Sequence, residues 1–196
     1  GYDHYHWSPA LSEALAPFRE QYGFTSPLAG FYHCFSSYGE QWGYYSQYMR
    51  FMWEAPTGQP YLDLQAIIAD KPVFVLTTNV DQQFLRVFPQ KQICAFQGDF
   101  SYCQCSQPCR DDIWKNRELV KELTGRLVGV RLPEEAVPRC PDCGRVLVPW
   151  VRDDTFLEGT FWQDNLHRYH RFLRRWIMDQ SDKKVLLLEL GVGEMT

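Results

Sequence analysis

The stretch VFVLTTNVDQQFLRVFPQKQICAFQGDFSYCQCSQPC, at residues 73–109, decides the fold of this chain. It begins with an apolar run rich in β-branched residues, a pattern typical of a buried parallel strand, and that run ends at Asn79-Val80-Asp81. A second apolar run, at residues 93–96, ends at Gln97-Gly98. Because the ligands of open α/β sheets bind beyond the carboxyl ends of the strands, these polar residues are candidate edges of a pocket.

Helical patterns precede the first predicted strand. Ser8-Pro9 is typical of a helix start, and residues 24–53 are dense in aromatic rings that predict one or two further helices. We expect these rings to form a core, with a groove for a ligand or partner as the alternative. Residues 62–69 predict a short helix that leads into the first strand, and this alternation of helices and strands indicates a parallel sheet.

The second half of the chain shows further patterns of regular structure. Residues 111–123 predict a helix, and Asp164 is expected to cap another. The apolar run VLLLEL at residues 185–190 predicts a third buried strand, which ends at Gly191-Val192-Gly193. Glycines at the end of a strand permit the backbone to approach a ligand closely.

Composition and charge restrict the class of protein. The 196 residues carry a net charge of −4, which argues against a nucleic-acid partner because phosphate binding needs a basic face. In the sequence we find no apolar stretch near the 18–20 residues, roughly, of a membrane span. Seven cysteines at short spacings favour metal binding in a reducing compartment over disulfides, so we expect a cytoplasmic location.

Four of the cysteines form two close pairs. Cys105 and Cys109 make a C-x₃-C pair, and Cys140 and Cys143 make a C-x₂-C pair that is followed by a glycine. Two such pairs joined by a loop predict a tetrahedral Cys₄ zinc site, which is structural because the four thiolates leave no position for a reactive water. Cys103 is an alternative member of the first pair.

The order of these motifs resembles the sirtuin family over nearly the whole chain. The motifs are TTNVD at residues 77–81, FQG at residues 96–98, the two cysteine pairs, and GVG at residues 191–193. The resemblance implies an α/β fold with a Rossmann-like parallel sheet, a helical insert and a small Cys₄ zinc module. The NAD-binding domain would comprise residues 1–100 and 148–196, with the aromatic-rich helices at residues 8–60, and the zinc module residues 101–147.

The resemblance also implies roles for single residues. Asn79 and Asp81 would lie in the nicotinamide and ribose pocket, and Gln97 would be part of the same site. The residues of the last motif, Gly191, Val192 and Gly193, would approach the NAD cofactor. The four paired cysteines would hold structural Zn²⁺.

Three departures from the family pattern matter, one of which is that the cysteine pairs are separated by a long loop and the first pair is C-x₃-C. Sirtuin deacylases carry His-Gly where this chain has Gln97-Gly98, and the family has an N-terminal Gly-Ala-Gly-x-Ser loop that this sequence lacks. Since the chain begins about where that loop would end, we expect a fragment. The glutamine and the runs QCSQ and ELGVG resemble the macrodomain-linked (class M) sirtuins, which are regarded as protein ADP-ribosyltransferases of microbes. In that group an arginine placed like Arg152 is proposed to help catalysis; a solvated surface arginine is the alternative.

The exchange of histidine for glutamine favours transfer over deacylation. Both reactions begin by breaking the nicotinamide–ribose bond, which requires binding and charge placement more than a base. Deacylation then needs a base for a ribose hydroxyl, and a glutamine amide has no useful basicity. Loss of a general base typically costs roughly 10²–10⁴ in rate.

The sequence therefore predicts NAD-dependent protein mono-ADP-ribosylation. The family analogy suggests a protein acceptor, possible examples being lipoyl-carrier proteins, and a macrodomain hydrolase that reverses the modification. A sirtuin deacylase with a different base is the first alternative, and a zinc-supported module that binds NAD or protein without turnover is the second. The acceptor, its side chain and the oligomeric state do not follow from the sequence.

Overall fold

The structure is a computed structural model and describes residues 4–179 and 182–191. Its α-helices are α1 (Pro9–Ala14), α2 (Ala16–Tyr22), α3 (Tyr38–Glu54), α4 (Gln59–Ile68), α5 (Gln83–Val87), α6 (Arg117–Gly125) and α7 (Thr160–Leu173). Its strands are β1 (Val75–Thr77), β2 (Ile93–Ala95), β3 (Gly98–Cys105), β4 (Ile113–Lys115) and β5 (Leu147–Val151). Short 3₁₀ turns lie at Pro27–Phe31, Gln90–Gln92 and Glu134–Ala136, and a π turn at Arg174–Met178 follows α7.

The predicted N-terminal helix is present as two helices. The Ser8 hydroxyl accepts a hydrogen bond from the backbone N–H of Leu11 at 3.2 Å and so caps α1. Pro17 follows closely and has no N–H to donate to the preceding turn, which explains the break at Leu15 between α1 and α2. Gly23 ends α2 in the left-handed conformation with φ at +66°.

The aromatic-rich segment forms a core, as predicted. Helix α3 begins after Ser37, whose hydroxyl caps it, and buries Trp42, Tyr44 and Tyr48 to 1% exposure or less. The indole N–H of Trp42 donates to the carbonyl of Leu147 at 2.8 Å, which ties α3 to β5. This hydrogen bond fixes α3 against β5, the strand that follows the second cysteine pair.

The predicted parallel sheet is confirmed by β1 and β2. Val75 is in register with Ile93 and Thr77 with Ala95, and α5 lies in the connection between the two strands. Helix α7 packs on β2. Because the strands are parallel, the residues that follow them emerge at the same edge of the sheet.

A three-stranded antiparallel sheet, in the order β4-β3-β5, was not predicted. Every residue of β3 is buried, since this strand has neighbours on both sides and a helical layer over it. The helix expected at residues 111–123 is therefore partly a strand: Trp114 pairs with Cys103 in β4, and the helix begins only at Arg117.

Two other predictions of regular structure are wrong. Residues 185–190 form no strand; Leu186 and Leu187 are 82% and 73% exposed, and within the described residues no neighbouring strand pairs with this segment. Asp164 does not cap α7, which starts at Thr160. The carboxylate of Asp111 accepts hydrogen bonds from the Thr160 backbone N–H at 2.9 Å, so the cap comes from a distant segment.

Among the helices of residues 4–179 and 182–191, none is long and apolar enough to cross a membrane.

Candidate functional site

The loop after β1 holds Asn79 and Asp81 in a hydrogen-bonded turn. The Asn79 backbone N–H donates to the Thr77 hydroxyl at 3.0 Å, and its side-chain amide donates to the Tyr61 hydroxyl at 3.3 Å. Tyr61 in turn donates to the carboxylate of Asp81 at 3.3 Å. Burial, followed by the charge of Asp81, raises the pKa of Tyr61 to about 12, so the phenol keeps its proton and remains a donor.

Asp81 is buried at the base of this loop, whereas Asn79 is at its exposed rim. The other carboxylate oxygen of Asp81 accepts the backbone N–H of Gln83 at 3.1 Å, which fixes the start of α5. Asp81 thus orients the loop from below and leaves the Asn79 side chain at the surface of the cleft.

The loop after β2 lies beside the loop after β1. The Phe96 N–H donates to the Thr77 carbonyl at 2.9 Å, and the Phe100 N–H donates to the Val80 carbonyl at 3.0 Å. A cleft at this edge of the sheet is lined by residues of both loops, including Asn79, Asp81 and Asp99. The structure therefore places the two loops side by side, but Gln97 and Arg152 are not among the residues that line the cleft.

Arg152 is held directly against Gln97. Its backbone N–H donates to the Gln97 carbonyl at 2.9 Å, and its guanidinium donates to the Phe96 carbonyl at 3.1 Å. The guanidinium also pairs with Glu158 at 2.7 Å and lies 4.5 Å from the ring centroid of Phe156. Since one third of the side chain remains exposed, Arg152 is a clamped cation with an accessible face.

Gly98 permits this close approach of β5. Its φ is +84°, and a Cβ atom there would lie 2.1 Å from the carbonyl oxygen of Trp150. The loop of Arg152 is held from the other side by the Gln104 amide, which donates to the Thr155 carbonyl at 2.7 Å and accepts the Leu157 N–H at 2.9 Å. Glycine is required here because any side chain would separate Gln97 from Arg152.

The remaining predicted cofactor residues are at the C-terminal end of the chain. Gly191 lies in the exposed irregular segment that replaces the expected third strand, and its φ is +65°. Val192 and Gly193 lie outside the described residues. The structure gives no contact between Gly191 and the cleft.

Sequence reasoning missed Asp99, although it directly follows Gln97-Gly98. Asp99 lines the cleft, is 5% exposed and accepts the Ser101 backbone N–H at 2.6 Å. Burial raises the pKa of Asp99 to about 7; the charge of Asp81 acts in the same direction, and the backbone hydrogen bond from Ser101 opposes it. A carboxyl group of this pKa changes its protonation state near neutral pH.

Asp99 gives the stability of the fold a defined pH dependence. The pKa of Asp99 in the folded state lies above its ordinary value of 3.8. The stabilisation that the protonated Asp99 gives to the fold is therefore fully present below about pH 4 and is lost as the pH rises through 7. The full loss is of the order of 4 kcal/mol in the free energy of unfolding. We expect Asp99→Asn to remove most of this loss and to raise the melting temperature at pH 8.

Thermal unfolding between pH 5 and 8 measures this effect. Asp70→Asn, at an exposed position, is the control and should leave the wild-type profile unchanged. Parallel pH profiles for wild type and Asp99→Asn would contradict the assignment.

The two cysteine pairs converge on one point. The sulfur atoms of Cys105, Cys109, Cys140 and Cys143 all lie within 4.8 Å of one another. Two of the sulfur–sulfur distances are 3.5 Å and 3.6 Å, close to the roughly 3.8 Å expected for thiolates at Zn–S bond lengths in a tetrahedron. The cluster is therefore suited to bind zinc.

The positions of the other cysteines exclude them from this cluster. Cys103 is fully buried in β3, and its sulfur accepts a hydrogen bond from the Asn116 amide at 3.5 Å. Burial raises its pKa to about 12, so it stays a thiol. Cys94 is buried in β2 and Cys34 is exposed. Cys103 is thus not the alternative ligand that the sequence allowed.

Comparisons with known proteins identify relatives for this arrangement. No protein-family model matches the chain. A solved structure of a Sir2 homologue in complex with NAD has a TM-score of 0.46 and 17% identity, covering 70% of this chain and 47% of that one.

Two curated relatives match nearly the whole chain. A protein ADP-ribosyltransferase of Staphylococcus aureus (strain Mu50 / ATCC 700699) is 29% identical over 95% of this chain and 59% of its own length. A probable bifunctional ADP-ribose hydrolase/ADP-ribosyltransferase of Fusarium oxysporum f. sp. cubense is 25% identical over 90% of this chain and 30% of its own length. The chain thus spans about three fifths of the first relative and less of the second. The predicted resemblance to protein ADP-ribosyltransferases agrees with the printed name of the first of these relatives, which matches this chain along 95% of its length.

Proposed function

We propose that this chain is the NAD-binding and zinc-binding part of an NAD-dependent protein mono-ADP-ribosyltransferase. The observation that carries the proposal is the edge of the parallel sheet, where the backbone of the Asn79 loop is hydrogen-bonded to Phe96 and Phe100, on either side of Gln97. The name of the Staphylococcus relative supports the same reaction. The domain division at residues 100–101 and 147–148 is part of this proposal.

The cleft has polar groups that suit NAD. Gln83 lines the cleft, and its side-chain Nε2 atom is buried and has no hydrogen-bond partner. Buried amides without partners are unfavourable, and a carboxamide or hydroxyl-bearing ligand would satisfy them. NAD supplies the ADP-ribosyl group and carries nicotinamide as its leaving group. We propose that Asn79, Asp81 and Gln97 bind it, together with Gly191, Val192 and Gly193.

The side chains of the site have separate tasks. The Asn79 amide can donate or accept at the rim of the cleft, while Asp81 and Tyr61 hold its loop in place. Gln97 can orient a hydroxyl group by hydrogen bonding but cannot remove its proton. Arg152 offers a positive charge on its exposed face, which favours an anionic group of the substrates.

The acceptor and the partners remain parts of the proposal. Transfer of ADP-ribose requires an acceptor, for which we propose a protein, with lipoyl-carrier proteins as the first candidates to test. The Fusarium relative is named for both hydrolase and transferase activities, which supports a macrodomain hydrolase as a functional partner. Four thiols gathered at metal-binding distance suit a reducing compartment, and we propose the cytoplasm.

A deacylase is the second candidate, and Asp99 is the observation that favours it. Its carboxyl group lies in the cleft with a pKa of about 7 and could serve as the base that Gln97 cannot be. A deacylase would release free lysine from an acylated peptide, whereas a transferase would leave label from NAD on a protein.

The Gln97→His variant separates these two functions. We expect the wild type to label protein from NAD and to deacylate poorly, because the site lacks a histidine base. Gln97→His should raise deacylation by roughly 10²-fold or more, the usual contribution of a general base. The measurement follows free lysine and protein-bound label in parallel, with Asp99→Asn as a comparison.

Efficient deacylation by the wild type that is lost in Asp99→Asn would favour the second candidate. An unchanged deacylation rate in Gln97→His would contradict the role assigned to Gln97. A calorimetric titration that shows no NAD binding by the folded chain would instead favour a non-catalytic binding module.

A further inference from the structure

A second cavity of about 290 Å³ lies next to the cleft. Three of its lining residues, Gln82, Leu85 and Tyr102, also line the cleft, so the two spaces share a wall. We call it the cationic chamber, after its charged lining residues. The full lining is Trp53, Gln82, Leu85, Arg86, Ser101, Tyr102, Lys115 and Arg117. These residues include three cations and no carboxylate.

The buried wall of the chamber contains polar groups without partners. Gln82 is 3% exposed, and neither its Oε1 nor its Nε2 atom forms a hydrogen bond. Ser101 is 5% exposed, and its hydroxyl also lacks a partner. Gln82 has a φ of +65°, a conformation that a non-glycine residue rarely adopts. Unpaired buried polar groups and strained backbone together are typical of a binding site.

Arg86 makes one side of the chamber rigid. Its guanidinium donates to the carbonyls of Met52 at 2.6 Å and Trp53 at 3.0 Å, at the end of α3. With a further bond to the carbonyl of Ala55, three of its five N–H donors are used, so Arg86 is held in place and contributes mainly positive charge.

The other two cations stand at the open side of the chamber. Arg117 stacks on the Trp53 ring with its guanidinium carbon 5.1 Å from the ring centroid. Lys115 is opposite Tyr102 in the β3–β4 ladder. Within the described part of the chain neither Lys115 nor Arg117 pairs with a carboxylate, and both are exposed.

We propose that the cationic chamber binds a small organic anion with a flat apolar body. The body would lie against Trp53, Leu85 and Tyr102, and Lys115 and Arg117 would bind its carboxylate or phosphate. Gln82 and Ser101 would then gain the hydrogen-bond partners that they lack. This site shares wall residues such as Gln82 with the cleft but contains none of the residues proposed to bind NAD, and it does not depend on the proposed reaction.

Calorimetric titration with benzoate, phenyl phosphate and neutral benzamide tests the proposal on the whole chain. We expect at least one of the two anions to bind, and benzamide to bind about tenfold more weakly, because it lacks a charge-assisted hydrogen bond. Lys115→Gln should weaken binding of that anion about tenfold. Lys121→Gln, which removes an exposed charge on α6 outside the chamber, is the matched control and should bind like wild type.

Ser101→Ala gives a second test, which remains informative if Lys115→Gln does not fold. Removal of an unpaired buried hydroxyl should leave the melting temperature equal or higher, while the affinity for the anion falls. The proposal would be overturned if neither benzoate nor phenyl phosphate binds. Equal affinity for benzamide, or unchanged anion affinity in both Lys115→Gln and Ser101→Ala, would also overturn it.

Discussion

Replacement of Cys140 by serine is expected to abolish zinc binding and to unfold the segment between the two cysteine pairs. Cys140 is 2% exposed, and its sulfur lies 3.6 Å from that of Cys109. Structural zinc contributes apparent binding free energies of about 10–16 kcal/mol in small zinc-finger peptides, so the loss of one thiolate ligand is severe. Because Cys105 ends β3, the effect should spread to the antiparallel sheet.

The thiol pKa values describe the cluster before a metal binds. A hydrogen bond from the Arg145 backbone lowers the pKa of Cys143 to about 6, while hydrogen bonds with Cys143 and Cys140 raise that of Cys109 to about 12. At neutral pH Cys143 is therefore mostly a thiolate, whereas Cys109 keeps its proton, which a bound divalent cation would displace.

Zinc content per chain and thermal unfolding measure the effect of Cys140→Ser. Cys34→Ser, at an exposed cysteine outside the cluster, should retain one zinc per chain and the wild-type melting temperature. A chelator applied to the wild type should reproduce the unfolding. A folded, zinc-free wild-type protein whose stability does not change in Cys140→Ser would rule out a structural metal.

Replacement of Asn79 by alanine is expected to lower ADP-ribosyl transfer by roughly 10²–10³-fold, the usual effect of removing one positioned polar group from an active site. The Asn79 side chain is at the exposed rim of the cleft and donates one hydrogen bond, to Tyr61. Tyr61 keeps its bond to Asp81 in the variant, so the loop should stay folded. The loss is therefore expected in activity and not in stability.

Label transferred from NAD to protein, together with the melting temperature, measures this effect. Gln59→Ala is the control, since that side chain bonds Asp63 on the exposed side of α4. An Asn79→Ala variant with wild-type transfer would remove this residue from the site, and one that unfolds would indicate a structural role.

Local sequence patterns predicted those parts of the fold that depend on local chemistry. Ser8 and Gly23 bound the first helices as expected, because capping and left-handed turns act within a few residues. The apolar runs located β1 and β2, and the polar residues after them emerged at one edge. The cysteine spacing predicted a cluster that the structure assembles.

Features that depend on distant partners were not predictable in this way. Strand β3 has little apolar alternation, yet it is buried because β4, β5 and α3 cover it. Asp111 caps α7 from 49 residues away, a contact that no local pattern indicates. Conversely, the strongly apolar residues 185–190 form no strand, since strand formation needs a neighbouring backbone.

In the site, the positions of Asn79 and Gln97 after predicted strands made them candidate residues. The contacts that hold Arg152 in place did not follow from the sequence. The arginine is placed by Gly98, which allows β5 to come close, and by Gln104, which holds its loop. Asp99 was missed because its importance comes from burial. A carboxylate directly after Gln97-Gly98, at the end of a predicted buried strand, was the signal available.

A double-mutant cycle on Asn79 and Arg152 tests most directly whether the two loops form one NAD site. The rate of label transfer from NAD to protein would be measured for wild type, Asn79→Ala, Arg152→Gln and the double variant. If both residues act on the same substrate, their effects on the transfer rate are coupled. The double variant should then transfer label only slightly more slowly than the less active single variant, at roughly 10²–10³-fold below wild type. Losses that multiply to about 10⁴-fold or more, or single variants that transfer label at the wild-type rate, would contradict a shared site.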